Sequence, residues 1–193
     1  MGDHLDLYKQ PDFYRFNEDS TKLVEHVIER VRGEYLDHVL DLGSGCGILG
    51  IELSRFNHIK ELDFVELQPQ FIVYLEQNVR AYKVANSTIY KTSFSNFKIE
   101  KKYDLIISNP PYYNMNSFRT SPDPNRAICR HFLVDDIHIW FNVIRTYLAP
   151  KGKAYFVLDE EALKEIQFLE SEKIFKIGQL SNSVFIEYLR LQR

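Results

Sequence analysis

Residues 38–50 read His38-Val39-Leu40-Asp41-Leu42-Gly43-Ser44-Gly45-Cys46-Gly47-Ile48-Leu49-Gly50. A short apolar strand ends at Asp41-Leu42, three glycines alternate, and Ile48 to Phe56 continues with helical spacing. Glycines in such a turn let backbone approach a ligand, because a Cβ would collide with it or forbid the turn. The following helix aims its N-terminal N–H groups at the bound molecule. About twenty residues further on, at the distance expected of a ribose-binding acid, a second strand over Glu61–Leu67 carries Glu66. A carboxylate in that register accepts hydrogen bonds from both ribose hydroxyls.

Outward from this unit, strands and helices alternate. Before it, Asp19 and Ser20 are suitable N-caps for a helix carrying Leu23, Val24, Val27, Ile28 and Val31, with Gly33 as its stop. After it, Pro69 opens a helix with Phe71, Ile72, Leu75 and Val79 on one side. Strands follow at Thr88–Lys91, Tyr103–Ser108 and Lys153–Leu158, helices at Asp135–Leu148 and Glu160–Ser171, and two last strands at Lys173–Ile177 and Val184–Leu191. This order predicts an α/β fold: a doubly wound, mostly parallel seven-stranded sheet, Rossmann-like, closed by an antiparallel C-terminal edge hairpin. The ligand is expected at the carboxyl ends of the strands.

The 193 residues are 45% hydrophobic and 26% charged, which fits one globular unit and excludes a disordered or collagen-like chain. The expectation is a single domain over 1–193, with an N-terminal arm and helix (1–33) covering the crevice of a core at 34–193. Cys46 and Cys129 lie far apart, and the histidines show no ligand spacing, so neither disulfide nor metal is expected. No apolar run has the length of a membrane span, and the start has neither a signal-peptide pattern nor a myristoylation signal, so a cytoplasmic protein, monomeric and off the membrane, is expected. The formal charge is −3, which argues against nucleic acid unless basic residues gather locally.

Two chemistries fit the turn. Gly45-Cys46-Gly47-Ile48-Leu49-Gly50 matches the dinucleotide pattern G-x-G-x-x-G. The longer pattern Asp41-x-Gly43-x-Gly45-x-Gly47 resembles the S-adenosylmethionine loop of class I methyltransferases. In that family the early acid lies near the methionine amino group, whereas a phosphate binder gains nothing from an anion there. The resemblance also implies an adenine contact at the end of the third strand, where an acid is usual. Ser93 stands there instead, followed by Phe94, whose N–H and ring are the expected substitutes.

The fourth strand runs into Asn109-Pro110-Pro111-Tyr112. Two prolines make a rigid corner without backbone donors. It aims the Asn109 side-chain oxygen and the Pro110 carbonyl into the crevice as two fixed acceptors. Two acceptors suit an NH2 group on a planar system and orient its lone pair for in-line displacement at a sulfonium methyl. The gain is positioning and electrostatic preorganisation. Tyr112 offers a ring for stacking on the target. Hydride transfer to a nicotinamide has no use for this corner.

The glycine loop, Glu66 and the Asn-Pro-Pro-Tyr corner, in this order, resemble the amino-group N-methyltransferases. Tyr14-Arg15-Phe16-x-x-Asp19-Ser20, Ser108 to Tyr113, and Arg126-Ala127-Ile128-Cys129-Arg130-His131 resemble the bacterial tRNA-valine adenine-N6 methyltransferases more closely. That group usually shows Ala-Arg-His-Glu at its last motif, and here Phe132 replaces the Glu. The resemblance implies S-adenosylmethionine as cofactor, held by Asp41, Gly43, Gly45, Gly47, Glu66, Ser93, Phe94 and Asn109. It implies Asn109, Pro110 and Tyr112 as catalytic, and tRNA as substrate, methylated on adenine N6 in the anticodon loop. Pro111, Tyr112, Tyr113, Arg119, Arg126, Arg130 and His131 are the expected substrate contacts, the arginines and histidine forming the local basic patch that the net charge lacks. Four alternatives stand: a protein glutamine N5-methyltransferase, another rRNA or DNA amino-methyltransferase, a non-catalytic cofactor-binding subunit, and an NAD oxidoreductase.

Overall fold

A computed structural model describes residues 7–13, 15–110, 134–170 and 173–190. Its helices are α1 (Glu18–Arg30), α2 (Ile48–Phe56), α3 (Pro69–Ala81), α4 (Val134–Tyr147) and α5 (Glu160–Glu170). Its strands are β1 (Tyr35–Leu42), β2 (His58–Glu66), β3 (Ser87–Lys91), β4 (Tyr103–Ser108), β5 (Leu148–Asp159), β6 (Ile174–Leu180) and β7 (Ser183–Leu189). They form one sheet in the order β3-β2-β1-β4-β5-β7-β6. The first five strands pair in parallel, and β7 runs antiparallel to both β5 and β6. The α/β, mostly parallel seven-stranded sheet with its antiparallel C-terminal hairpin is therefore as expected. The chain order does not reveal that β7, not β6, joins β5. Composition supplies the reason. Val184, Phe185 and Ile186 of β7 are buried and suit an interior strand, whereas β6 mixes Lys176, Gly178 and Gln179 into an edge. That edge is broken by a register shift at Gly178, where a Cβ would stand 2.7 Å from His26 Nε2.

Alternate residues of each central strand feed two cores. Val39, Leu62, Phe64, Leu105, Ile107 and Tyr155 pack with α1, α2 and Leu75 of α3. Leu40, Leu42, Val65, Ile106 and Phe156 pack with α4 and α5, around the fully buried Trp140 and Phe141. Both faces of the strands are thus apolar, which produces the continuous hydrophobic runs of a covered parallel sheet. Asp41 lies in the same alternation, on the α2 face. Strand starts were the harder boundaries to read. β1 begins at Tyr35 and β2 at His58, because the parallel ladder extends into segments whose side chains are largely exposed; β5 begins at the buried Leu148, which pairs with Tyr103 before a register shift in the ladder to β4.

Two local corrections concern the N-terminal region. The N-cap of α1 is Asn17, whose Oδ1 accepts Ser20 N–H at 3.3 Å; neither Asp19 nor Ser20 caps the helix. Residues 7–13 lie against α2 and α3. Tyr8 is buried and donates its hydroxyl to Glu52 at 2.7 Å, and Phe13 meets Phe71 edge-on. Asn78 is the clasp. Its Oδ1 accepts Lys9 N–H, and its Nδ2 donates to the carbonyls of Lys9 and Cys46, all at 2.8–2.9 Å. One fully buried amide therefore ties the arm to the glycine turn. Asn78→Ala leaves three backbone groups without these partners and is expected to lower stability by about 2–4 kcal/mol, read as a lower urea midpoint.

Candidate functional site

The carboxyl ends of β1, β2 and β4 meet where the sheet reverses direction, between β1 and β4. The glycine turn follows β1. Gly43, Gly45 and Gly47 have φ of +75°, +54° and +86°. All three are left-handed, the conformation that only glycine adopts freely, and this explains their alternation. The turn is fastened to β2, where Gly43 N–H and Ser44 N–H both donate to Val65 O. Gly50 has a different task. A Cβ there would come within 2.8 Å of Phe64 and 3.1 Å of Asp41 Oδ2, so its absence lets α2 lie on the sheet.

Two carboxylates lie behind and beside this turn. Asp41 is fully buried, and its Oδ2 accepts Gly50 N–H at 2.9 Å. Its Oδ1 is buried with no hydrogen-bond partner among the described residues. Burial pushes this carboxyl up to about 7; the Gly50 N–H opposes the rise and the charge of Glu66 adds to it. Glu66 is 7% exposed. Its Oε2 accepts Gly45 N–H and its Oε1 accepts Gln68 N–H, both at 2.8 Å, so it joins the glycine turn to the start of α3. Burial raises its pKa also, against the pull of the N–H groups of Gln68, Gly45 and Leu67. An orphaned buried carboxylate oxygen with a second acid beside it suits a cationic ligand, and would repel a pyrophosphate.

Ser93 and Phe94 stand across the turn. Ser93 Oγ accepts Asn96 N–H at 3.3 Å and lies 3.0 Å from Ser95 Oγ, capping a short 3-10 turn over Phe94–Asn96. The Phe94 ring covers Gly43, where a Cβ would sit 3.3 Å from its Cζ.

The β4 corner is held from three directions. Ser108 Oγ donates to Leu42 O at 2.6 Å and accepts Trp140 Nε1–H at 3.0 Å. The Asn109 side chain donates through Nδ2 to Ser20 Oγ at 2.8 Å. Pro110 is buried. The structure therefore brings together Asp41, Gly43, Gly45, Gly47, Glu66, Ser93, Phe94, Asn109 and Pro110 around the ends of β1 to β4. Pro111, Tyr112, Tyr113, Arg119, Arg126, Arg130 and His131 lie outside the described residues, as does Tyr14. Sequence reading missed Ser20, Ser108 and Asn78 as parts of this site. Ser20 resembled a cap, and nothing in a helical Asn marks a contact to a distant turn. Among the described residues, no three His, Cys, Asp or Glu side chains gather to hold a metal, and no helix is long and apolar enough to cross a membrane.

Comparison with known proteins agrees with this arrangement. A tRNA1(Val) (adenine(37)-N6)-methyltransferase of Parabacteroides distasonis is 30% identical over 131 residues, 66% of this chain and 54% of its own length. A release factor glutamine methyltransferase of Fusobacterium nucleatum is 27% identical over 179 residues, 82% of this chain and 47% of its own. The chain thus spans about half the length of the curated relatives it matches. Among solved structures, a T. thermophilus 16S rRNA N2-guanosine methyltransferase, solved with AdoMet and guanosine, superposes with a TM-score of 0.70 at 21% identity, covering 91% of this chain and 44% of its own. At that identity the likeness speaks for the fold. The methyltransferase small domain family matches residues 15–133, a segment that runs from the start of α1 through the glycine turn and Glu66 to the Asn-Pro-Pro-Tyr corner. By that match, and by the loop, acid and corner it contains, the chain belongs to the methyltransferase small domain family.

Proposed function

We propose that this protein transfers a methyl group from S-adenosylmethionine to the exocyclic N6 of an adenine in the tRNA anticodon loop, in the cytoplasm. The observation that carries the reading is the buried carboxylate pair Asp41 and Glu66 around a left-handed glycine turn, at the carboxyl end of β1 beside β4, whose own end carries the Asn109-Pro110 corner. Asp41, the turn Gly43–Gly47, Glu66, Ser93 and Phe94 would hold the donor, which supplies a methyl carried on a sulfonium. The N-terminal arm and helix (1–33) would cover the crevice, as one methyltransferase domain with the core.

Each residue has a separable task. Glu66 accepts the ribose hydroxyls, and the negative wall at Asp41 favours a cation. Asn109 Oδ1 and the Pro110 carbonyl accept the two N–H groups of the target amine and aim its lone pair at the methyl. Tyr112 stacks on the base, worth about 1–3 kcal/mol. Pro111, Tyr113, Arg119, Arg126, Arg130 and His131 contact the RNA. A base in a single-stranded loop costs little to turn outward. The proton leaves the new ammonium to water, so no strong general base is needed.

The test is incubation with labelled methyl donor and unmodified total tRNA, followed by nucleoside mass spectrometry. N6-methyladenosine in the tRNA supports the reading; label without it sinks the adenine assignment. A second reading, glutamine N5 in a release factor, presents the same two N–H groups and is favoured by the Fusobacterium relative. Release factor run in parallel decides between them.

The ribose contact has its own prediction. Glu66→Ala removes the acceptor of Gly45 N–H and of the ribose together, and donor affinity measured by calorimetry is expected to fall about a hundredfold. Unchanged affinity would refute the contact.

A further inference from the structure

We propose that Ser20 is a positioning residue that fixes which branch of the Asn109 amide faces the substrate amine. This rests on the amine-methylation reading above. The contact is Asn109 Nδ2 to Ser20 Oγ at 2.8 Å, the one hydrogen bond of the Asn109 side chain among the described residues. Ser20 is 4% exposed, and its hydroxyl is released from capping because Asn17 caps α1. The helix that carries it is anchored by Leu23, Val24 and Val27, each fully buried. The acceptor therefore sits on a rigid element.

The oxygen and nitrogen branches of an amide have nearly the same shape, and only hydrogen bonding distinguishes them. With Nδ2 on Ser20, Oδ1 occupies the opposite branch and can accept an N–H from the target amine. With the amide reversed, the corner would present its own NH2 to another NH2, and the amine would lose one of its two acceptors. Packing around Asn109 does not select between these states; a partner at Ser20 does.

A serine hydroxyl both accepts and donates, so the informative variants are those that do only one or neither. Ser20→Ala offers no partner and is expected to lower kcat about tenfold, with KM for the donor unchanged. Ser20→Asp accepts only and stands in the first turn of α1, where a carboxylate is favoured. It is expected to return kcat to within about threefold of the wild type. Ser20→Thr keeps the hydroxyl and serves as the conservative variant if Asp proves too bulky. Wild-type kcat in Ser20→Ala, or equal loss in all three variants with intact donor binding, would overturn the role. The Asn109 side-chain amide resonances test the contact independently of turnover. They are expected to move in Ser20→Ala and to return in Ser20→Asp, and unmoved resonances refute it. A wild type that binds donor yet methylates no amine sinks the methylation reading alone.

Discussion

Asn109→Ala is expected to abolish methyl transfer, by about 10²–10³-fold in kcat, while the donor dissociation constant stays within about twofold. The asymmetry follows from where Asn109 stands. Its described side-chain contact is with Ser20, and among the described residues it has no hydrogen bond to the carboxylates or to the glycine turn. Truncation leaves Gly45 on Glu66 and Gly50 on Asp41, so donor binding keeps its described partners. What disappears is one of two fixed acceptors for the amine. Its loss frees the nitrogen to rotate and to delocalise its lone pair into the ring, and both effects act on the transition state more than on the ground state. Single-turnover kinetics with saturating donor and RNA, together with calorimetry of donor binding, separate the two effects. Unchanged turnover would remove the acceptor role; equal loss of binding would mean that the donor contact the family resemblance implies for Asn109, and not the amine contact, dominates.

The sequence disclosed those parts of the site whose chemistry restricts residue type locally. Three alternating left-handed positions require glycine, so the turn is visible in the chain itself. An acid at a strand end in register with that turn, and two prolines ending another strand, are equally local. The contacts that hold these parts are not. Ser20 lies 89 residues from Asn109, and Asn78 lies 32 from Cys46. Serine and asparagine fit many roles in a helix, and only the packing of α1 and α3 against the sheet decides which one each takes. The position of β7 was hidden for a related reason. A closing hairpin can add to β5 through either strand, and the choice rests on which strand buries more surface. The strand starts were obscured because backbone pairing needs no apolar side chain. Burial of Asp41 follows from alternation along β1, which puts it on the same face as Val39. The orphaned oxygen does not follow from alternation, since it depends on how close α2 comes at Gly50.

Asp41→Asn is expected to strengthen the ligand-free protein at high pH and to weaken donor binding at the same pH. Burial raises the folded carboxyl to about 7, from an ordinary value of 3.8. The folded state therefore holds a proton between those values that the unfolded state has released. The resulting stability is fully present below about pH 4 and is lost as pH rises through 7, on the order of 4 kcal/mol in all. Asparagine keeps an acceptor for Gly50 N–H and carries no charge, so its melting temperature should not show this decline. The two proteins should melt together near pH 4, with the variant pulling ahead as pH rises from there and fully ahead at pH 8. Donor binding runs the opposite way. A cation favours the ionised carboxylate, so binding draws a proton off Asp41, and wild-type affinity should increase as pH rises from 6 to 8. The variant should bind about tenfold more weakly at pH 8 and show only the titration of the donor itself, which is common to both proteins and cancels in the comparison. Calorimetry in buffers of different ionisation enthalpy counts the released proton directly. Wild-type affinity in the variant at pH 8, with no difference in proton release, would mean that the buried charge supports the turn and not the ligand.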